Sequence, residues 1–155
     1  MAKESLFNIF RNLIDFEGKT VLDLFSGTGS IAFEFVSRGC EKVFAVDQNR
    51  NCTDWIRKGA GQFGMDNLFV QQTDSLKFIA RSLQSFDIIF TDPPYDMEGI
   101  EELPDVIFDS MILKPEGWLV IEHSRRIDFS GHLHFSDHRK YGKVNFSFFH
   151  RKTEE

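Results

Sequence analysis

The chain has 155 residues, which is enough for one domain with a well-buried core but leaves little room for a second. Its 41% hydrophobic and 27% charged residues are typical of globular proteins, and its 18 phenylalanines exclude a disordered chain and predict an aromatic core. The net charge of −6 argues against an extended nucleic-acid-binding surface. The chain lacks the ~20-residue apolar run of a membrane helix and the apolar stretch of a secretory signal. With only two cysteines, we expect reduced thiols and a cytoplasmic protein.

Short apolar runs alternate with segments of helical periodicity along most of the chain. The pattern predicts helices at residues 3–14, 31–38, 52–63, 75–83 and 104–111, and strands at residues 20–25, 42–46, 67–70, 86–91 and 117–121. Each strand is apolar almost throughout, as expected for burial on both faces of a parallel sheet. The third helix is predicted to carry Cys52, Trp55, Ile56 and Phe63 on its buried face.

The C-terminal part of the chain has a different pattern. Residues 133–141 and 144–150 alternate more strictly between apolar and polar side chains, around a turn at 141–143. This predicts an antiparallel hairpin that closes one edge of the sheet. Strands that alternate with helices form right-handed βαβ units. We therefore predict one α/β domain over residues 1–155, with a mostly parallel seven-stranded sheet and helices on both faces.

Four aspartates lie at the carboxyl ends of the first four predicted strands: Asp23, Asp47, Asp74 and Asp92. These strand ends meet at one edge of a parallel sheet, where an open α/β fold has its ligand crevice. Each aspartate alone could simply cap the helix that follows it, but four in register favour a binding site. Asp47 is placed to accept hydrogen bonds from two ribose hydroxyls, and Asp74 with Ser75 could contact an adenine edge.

The turn after the first strand, residues 23–30, has the sequence Asp-Leu-Phe-Ser-Gly-Thr-Gly-Ser. Gly27 and Gly29 permit a tight turn and a close backbone approach to a ligand. With Asp47 twenty residues further on, the segment also satisfies the G-x-G-x-x-A pattern of a nicotinamide-dinucleotide-binding domain. Against that alternative, Asp23 would repel a pyrophosphate, and the chain has no room for a separate substrate domain.

The fourth strand ends in the most specific motif of the chain, Asp92-Pro93-Pro94-Tyr95. Two consecutive prolines remove two backbone donors and leave carbonyl oxygens beside a carboxylate and an aromatic ring. Such a site offers hydrogen-bond acceptors and a stacking surface, which suits a planar group with an exocyclic NH2. The alternative is a rigid turn with an incidental tyrosine, which leaves the juxtaposition of Asp92 and Tyr95 unexplained.

The glycine turn and the Asp-Pro-Pro-Tyr turn resemble those of class I S-adenosylmethionine-dependent methyltransferases that act on amino groups. Three further segments (3–8, 121–123 and 141–144) resemble the RsmD family, which methylates N2 of a guanine in small-subunit ribosomal RNA. The resemblance implies a Rossmann-like class I methyltransferase fold, S-adenosylmethionine as cofactor and no metal. It implies that the target base lies at residues 92–95. The cofactor-binding residues that it implies are Asp23, Phe25, Ser26, Gly27, Thr28, Gly29, Asp47, Gln48, Asp74 and Ser75.

The resemblance also implies a partner, which is ribosomal RNA or the small ribosomal subunit, without a membrane or an obligatory protein partner. The family usually has a basic N-terminal β-hairpin implicated in RNA contact, and we expect that hairpin to be absent here because Met1 almost directly precedes the opening helix. Residues 123–152 hold all five histidines, which we expect to be surface or hairpin residues rather than metal ligands, and a local charge of 7 − 2 = +5. The candidate phosphate contacts there are Arg125, Arg126, Arg139, Lys140 and Lys143.

Other functions remain open on the sequence alone. An acceptor-only Asp-Pro-Pro-Tyr site is compatible with methylation of adenine N6 or cytosine N4 in DNA, or of a protein glutamine amide. A nicotinamide-dependent oxidoreductase is the alternative from another enzyme class. A nucleoside-binding module without turnover is the alternative among proteins that are not enzymes.

Overall fold

A computed structural model describes residues 2–152 of the chain. The elements are, in chain order, helix α1 (Ala2–Leu13), strand β1 (Thr20–Leu24), α2 (Ser30–Ser37), β2 (Lys42–Asp47), α3 (Arg50–Gln62), β3 (Leu68–Gln72), α4 (Ser75–Arg81), β4 (Phe86–Thr91), a 3-10 turn (Ile100–Glu102), α5 (Leu103–Asp109), β5 (Leu113–His123), β6 (Phe135–Tyr141) and β7 (Val144–His150).

The strands form one seven-stranded sheet in the order β3-β2-β1-β4-β5-β7-β6. Strands β1 to β5 are parallel, whereas β7 runs antiparallel between β5 and β6. The predicted mostly parallel sheet with an antiparallel C-terminal hairpin is therefore confirmed. The strand order reverses between β1 and β4, which is the point where open α/β sheets form their ligand crevice.

Apolar side chains cover both faces of the sheet. Helices α1, α2 and α3 pack on one face around buried phenylalanines, among which Phe7 and Phe35 meet edge-on at 4.7 Å between ring centroids. Helices α4 and α5 and the 3-10 turn pack on the other face, around side chains such as Ile79, Ile107 and Phe149. The predicted aromatic core is confirmed, and helices cover both faces as predicted.

The buried face of α3 differs from the prediction. Ile56 is buried and Cys52 half-buried, but Trp55 is 61% and Phe63 71% exposed. The helix instead turns the small residues Thr53 and Gly59 inward with Ile56. Close packing against small side chains leaves no space for the two larger rings, so the predicted four-residue stripe is wrong at these two positions.

Several boundaries also differ. Strand β5 spans Leu113–His123 and is longer at both ends than the predicted 117–121. Leu113 pairs with β4, and Glu122 and His123 pair with β7. Helix α5 ends at Asp109, before the predicted residue 111, and α4 ends at Arg81, which leaves Leu83 exposed. No helix within residues 2–152 is both long enough and apolar enough to cross a membrane.

Candidate active site

A cleft of about 530 Å³ lies at the carboxyl ends of β1, β2, β4 and β5, at the reversal of strand order. This volume is within the usual range for small-molecule sites, which is about 300–1,000 Å³. The residues that line it are Phe25, Gly27, Asp47, Gln48, Ser75, Asp92, Pro93, Pro94, Tyr95, Ile100, Glu122, His123, Ser124, Ile127, Lys143 and Val144.

Backbone hydrogen bonds fix the turn that follows β1. Phe25 has a φ of +54°, a left-handed conformation that is uncommon for an aromatic residue, and its amide donates to Ser75 Oγ at 3.1 Å. The next residue, Ser26, donates from both its amide and its hydroxyl to the Val46 carbonyl, at 3.0 and 3.1 Å. The turn is thereby held against both β2 and α4.

The Asp47 carboxylate joins the end of β2 to this turn. Its Oδ2 accepts from the Gly27 amide at 2.9 Å, and its Oδ1 accepts from the Asn49 amide at 2.8 Å. These two bonds fix the direction of the carboxylate, and each oxygen retains a further lone pair. Because Asp47 lines the cleft, it can accept donors from a ligand without rearrangement.

The Asp92–Tyr95 segment forms the facing wall of the cleft. The Asp92 side chain is open to the cleft, yet the protein around it desolvates the carboxyl and raises its pKa to about 6. Tyr95 is 86% exposed at the rim. One detail corrects the expectation of free carbonyls, since the Met97 amide donates to the Pro94 carbonyl at 2.9 Å. The Pro93 carbonyl accepts no backbone hydrogen bond from residues 2–152.

The end of β5 contributes cleft residues whose individual roles the sequence did not indicate. Glu122 is half-buried, and burial together with the nearby Asp92 carboxylate raises its pKa to about 7. His123 Nδ1 donates to the Ser124 carbonyl at 2.8 Å, so Nε2 accepts from the Ser147 hydroxyl at 2.7 Å. Burial lowers the pKa of His123, which favours the neutral ring that these two hydrogen bonds require. The sequence signal for Glu122 and His123 was their position at the end of a predicted strand, as for the four aspartates.

Five predicted cofactor residues do not line the cleft: Asp23, Ser26, Thr28, Gly29 and Asp74. Asp23 is only 1% exposed, burial raises the pKa of its carboxyl well above its usual value, and its Oδ2 has no hydrogen-bond partner among residues 2–152. Gly29 packs against Ile56. Asp74 caps α4 by accepting from the Lys77 amide at 3.0 Å, which is the alternative role considered for a strand-end aspartate.

The predicted basic residues differ in position, and Lys140, exposed on β6, is not among the residues that line the cleft. Lys143, in the β6–β7 turn, lines the cleft, and Arg125 and Arg126 are exposed just after the cleft residue Ser124. Arg139 instead forms an ion pair with Asp137 at 2.7 Å, and both residues line a separate groove against α1. In the described part of the chain, no three His, Cys, Asp or Glu side chains are arranged to hold a metal ion.

This sheet order and this cleft define a Rossmann-like class I methyltransferase. Residues 1–150 match the family model described as "Conserved hypothetical protein 95". The chain belongs to this family, the RsmD-like rRNA methyltransferases.

Three relatives carry rRNA methyltransferase names. The chain is 30% identical over 131 residues to "Putative rRNA methyltransferase YlbH" of Bacillus subtilis, covering 82% of this chain and 70% of that protein. It is 27% identical over 125 residues to ribosomal RNA small subunit methyltransferase D of Haemophilus influenzae, covering 78% and 64% respectively. It is 29% identical over 123 residues to ribosomal RNA large subunit methyltransferase K/L of Vibrio cholerae, of which it spans only 17%.

A solved structure from Escherichia coli, titled "Putative methyltransferase yhhF", has the same fold. It superposes with a TM-score of 0.86 at 21% sequence identity, covering 99% of this chain and 85% of that one.

Proposed function

We propose that this methyltransferase moves a methyl group from S-adenosylmethionine to the exocyclic N2 amine of a guanine in small-subunit ribosomal RNA. The observation that carries the proposal is that the glycine turn with Asp47 and the Asp92–Tyr95 segment line one cleft. The relatives named for rRNA methylation support an RNA substrate. Ribosome assembly would place the protein in the cytoplasm.

The first half of the cleft suits S-adenosylmethionine. The oriented carboxylate of Asp47 suits two ribose hydroxyls, and Gly27 has no atom within 4 Å of the position that a Cβ would take, so the backbone is open there. Asp23, with an unpartnered Oδ2 at the end of β1, is proposed to meet the cationic amino group of the cofactor only if the turn after β1 opens, because the carboxyl is buried outside the cleft lining. The cofactor, when bound, supplies an electrophilic methyl group.

The remaining predicted cofactor residues have two kinds of role. Phe25, Gln48 and Ser75 are proposed to contact the cofactor, because they line the cleft just after β1, just after β2 and at the start of α4. Ser26, Thr28, Gly29 and Asp74 are proposed to act through the turn and helix ends that they form.

The second half of the cleft suits an aromatic amine. Asp92 and the Pro93 carbonyl can accept the two amine N–H groups, while Tyr95 stacks on the base. Hydrogen bonds from both N–H groups to these acceptors draw the amine nitrogen toward a tetrahedral geometry. They also stabilise the positive charge that develops on the nitrogen during methyl transfer. A base in duplex or stacked RNA must first be flipped out to reach this depth.

Three basic side chains near the opening are proposed phosphate contacts. Lys143 lines the cleft directly, and Arg125 and Arg126 are exposed beside it. Phosphate contacts position the RNA without specifying its sequence. Arg139 is less suited to this role because Asp137 already neutralises it.

The test is a transfer assay with labelled S-adenosylmethionine and small ribosomal subunits from cells that lack the modification. Digestion of the RNA and mass spectrometry should identify N2-methylguanosine, and an Asp92→Ala variant should form it at least about 100-fold more slowly. N6-methyladenosine, N4-methylcytosine or labelled protein as the product would contradict the proposal. Tight NADH binding, measured by fluorescence, would instead support the oxidoreductase alternative.

A further inference from the structure

Two carboxylates stand side by side at the ends of neighbouring strands. Thr91 of β4 pairs in register with Ile121 of β5, so Asp92 and Glu122 are the next residues along adjacent parallel strands. Neighbouring strands lie about 4.8 Å apart. Both side chains line the cleft, and the Asp92 charge acts on the Glu122 carboxyl.

Asp92 alone can hold an exocyclic amine, so the second carboxylate, Glu122, is available for another donor of the base. Guanine, adenine and cytosine all carry an exocyclic amine that Asp92 could hold. Only guanine has a ring N–H donor, N1–H, next to that amine. Adenine N1 and cytosine N3 are acceptors at the corresponding position, so a carboxylate there would repel their lone pairs.

We propose that Glu122 is the specificity residue that selects guanine, by accepting the ring N1–H beside the amine held at Asp92. This inference rests on the proposed function and deepens it. A flipped base is commonly recognised along its Watson–Crick edge, and the Asp92–Glu122 pair presents two adjacent acceptors to that edge.

The assignment requires Glu122 to be ionised, and the surroundings of its carboxyl in the free cleft oppose that form. Burial and the Asp92 charge raise the pKa of Glu122 to about 7, and no hydrogen bond from the described residues offsets these effects. The other titratable groups facing the cleft are Asp47, Tyr95, His123 and Lys143. A ligand with two adjacent N–H donors would satisfy both desolvated carboxylates at once, and guanine has that arrangement.

The test uses 2-aminopurine, which keeps the C2 amine of guanine but has a lone pair in place of N1–H and lacks O6, so the Glu122→Gln comparison isolates the contribution of the ring N–H. The transfer assay identifies the methylated guanine, and 2-aminopurine is then placed at that position in the RNA. We expect the wild-type kcat/KM for 2-aminopurine to be at least about tenfold lower than for guanine, as for loss of one hydrogen bond to a charged group. Glu122→Gln can donate an amide N–H to the 2-aminopurine ring, so the guanine preference should fall by about tenfold or more.

The control is Glu116→Gln, the same change at an exposed position outside the cleft on the same strand. It should leave the guanine preference unchanged. Equal wild-type rates on guanine and 2-aminopurine would overturn the inference without any variant, even if Glu122→Gln fails to fold. An unchanged preference in a folded Glu122→Gln protein would also overturn it, while leaving methyl transfer to guanine intact. A wild-type protein that methylates no guanine in RNA would overturn both this inference and the proposed function.

Discussion

The Gly27 amide donates to Asp47 Oδ2 at 2.9 Å, which ties the turn after β1 to the end of β2. The same carboxylate accepts from Asn49 at the start of the connection to α3. One side chain therefore holds two backbone segments of the cleft and faces the space proposed for the ribose. Structural and binding roles coincide at Asp47, which makes its substitution informative.

Replacing Asp47 with alanine should weaken S-adenosylmethionine binding at least about tenfold, because both the ribose acceptor and the anchor of the Gly27 amide are lost. Isothermal titration calorimetry measures this affinity. The free energy of unfolding should fall by about 1 kcal/mol, since two N–H groups lose a charged acceptor. The control Asp66→Ala removes an exposed carboxylate near the start of β3 and should change neither value. Unchanged cofactor affinity in Asp47→Ala would contradict the proposed ribose contact.

Replacing Asp92 with alanine should lower methyl transfer by about 100-fold or more, which is the usual effect of removing a group that stabilises transition-state charge. Cofactor affinity should remain within about threefold, because Asp92 lies on the wall that faces the base. Single-turnover kinetics and calorimetry measure the two quantities separately. The exposed Asp96, in the same loop, supplies the control Asp96→Ala. Near-normal turnover in Asp92→Ala would remove the amine-site interpretation.

Glu122 should make the stability of the fold depend on pH. Its pKa is about 7 in the folded protein against 4.5 for an unperturbed glutamate, so the folded state holds a proton that the unfolded state releases between these values. Stability should therefore fall as pH rises from about 4.5 through 7. Glu122→Gln should match wild type near pH 4.5 and exceed it at pH 8 by up to about 3 kcal/mol. Urea unfolding across this range measures the difference, with Glu116→Gln as control; parallel wild-type and Glu122→Gln curves would show that Glu122 is not desolvated.

Gly29 should tolerate no side chain. An added Cβ would lie 2.8 Å from Ile56 Cγ1, and the residue has a φ of +83°. Gly29→Ala should therefore lower the free energy of unfolding by about 2–3 kcal/mol through overpacking and backbone strain. Gly61→Ala is the matched control, because that position in α3 has open space around it and no positive φ. The control should raise stability by up to about 1 kcal/mol, and a small effect at Gly29 would indicate that α2 and α3 can move apart.

The order of apolar and polar residues within each segment predicted the parallel strands and the position of the cleft. A strand buried on two faces must be apolar throughout, and its last residue must lie at the sheet edge, which located Asp47 and Asp92 without knowledge of the fold. Asp74 also ends a strand, but it caps α4 instead, and nothing in its type distinguishes these roles. Glu122 was marked only by its strand end and by the family resemblance of residues 121–123, and neither signal gave it a role.

Long-range topology was the part that pattern did not predict. The hairpin was recognisable from alternation, but the insertion of β7 between β5 and β6 depends on which edge it meets. That insertion brings Lys143 and Val144 to the cleft, far along the chain from the lining residues at β1, β2 and β4. The exposure of Trp55 likewise depends on how closely α3 approaches the sheet.

Phe10 of α1 and Phe148 of β7 meet with their ring centroids 6.1 Å apart. Because a ribosome releases the chain from its N-terminus, α1 emerges long before the strand that covers part of its apolar face. The packing of α1 is therefore complete only after β7 has been synthesised. During most of its synthesis the nascent chain therefore carries incompletely covered aromatic rings, and exposed apolar surface of this kind favours aggregation.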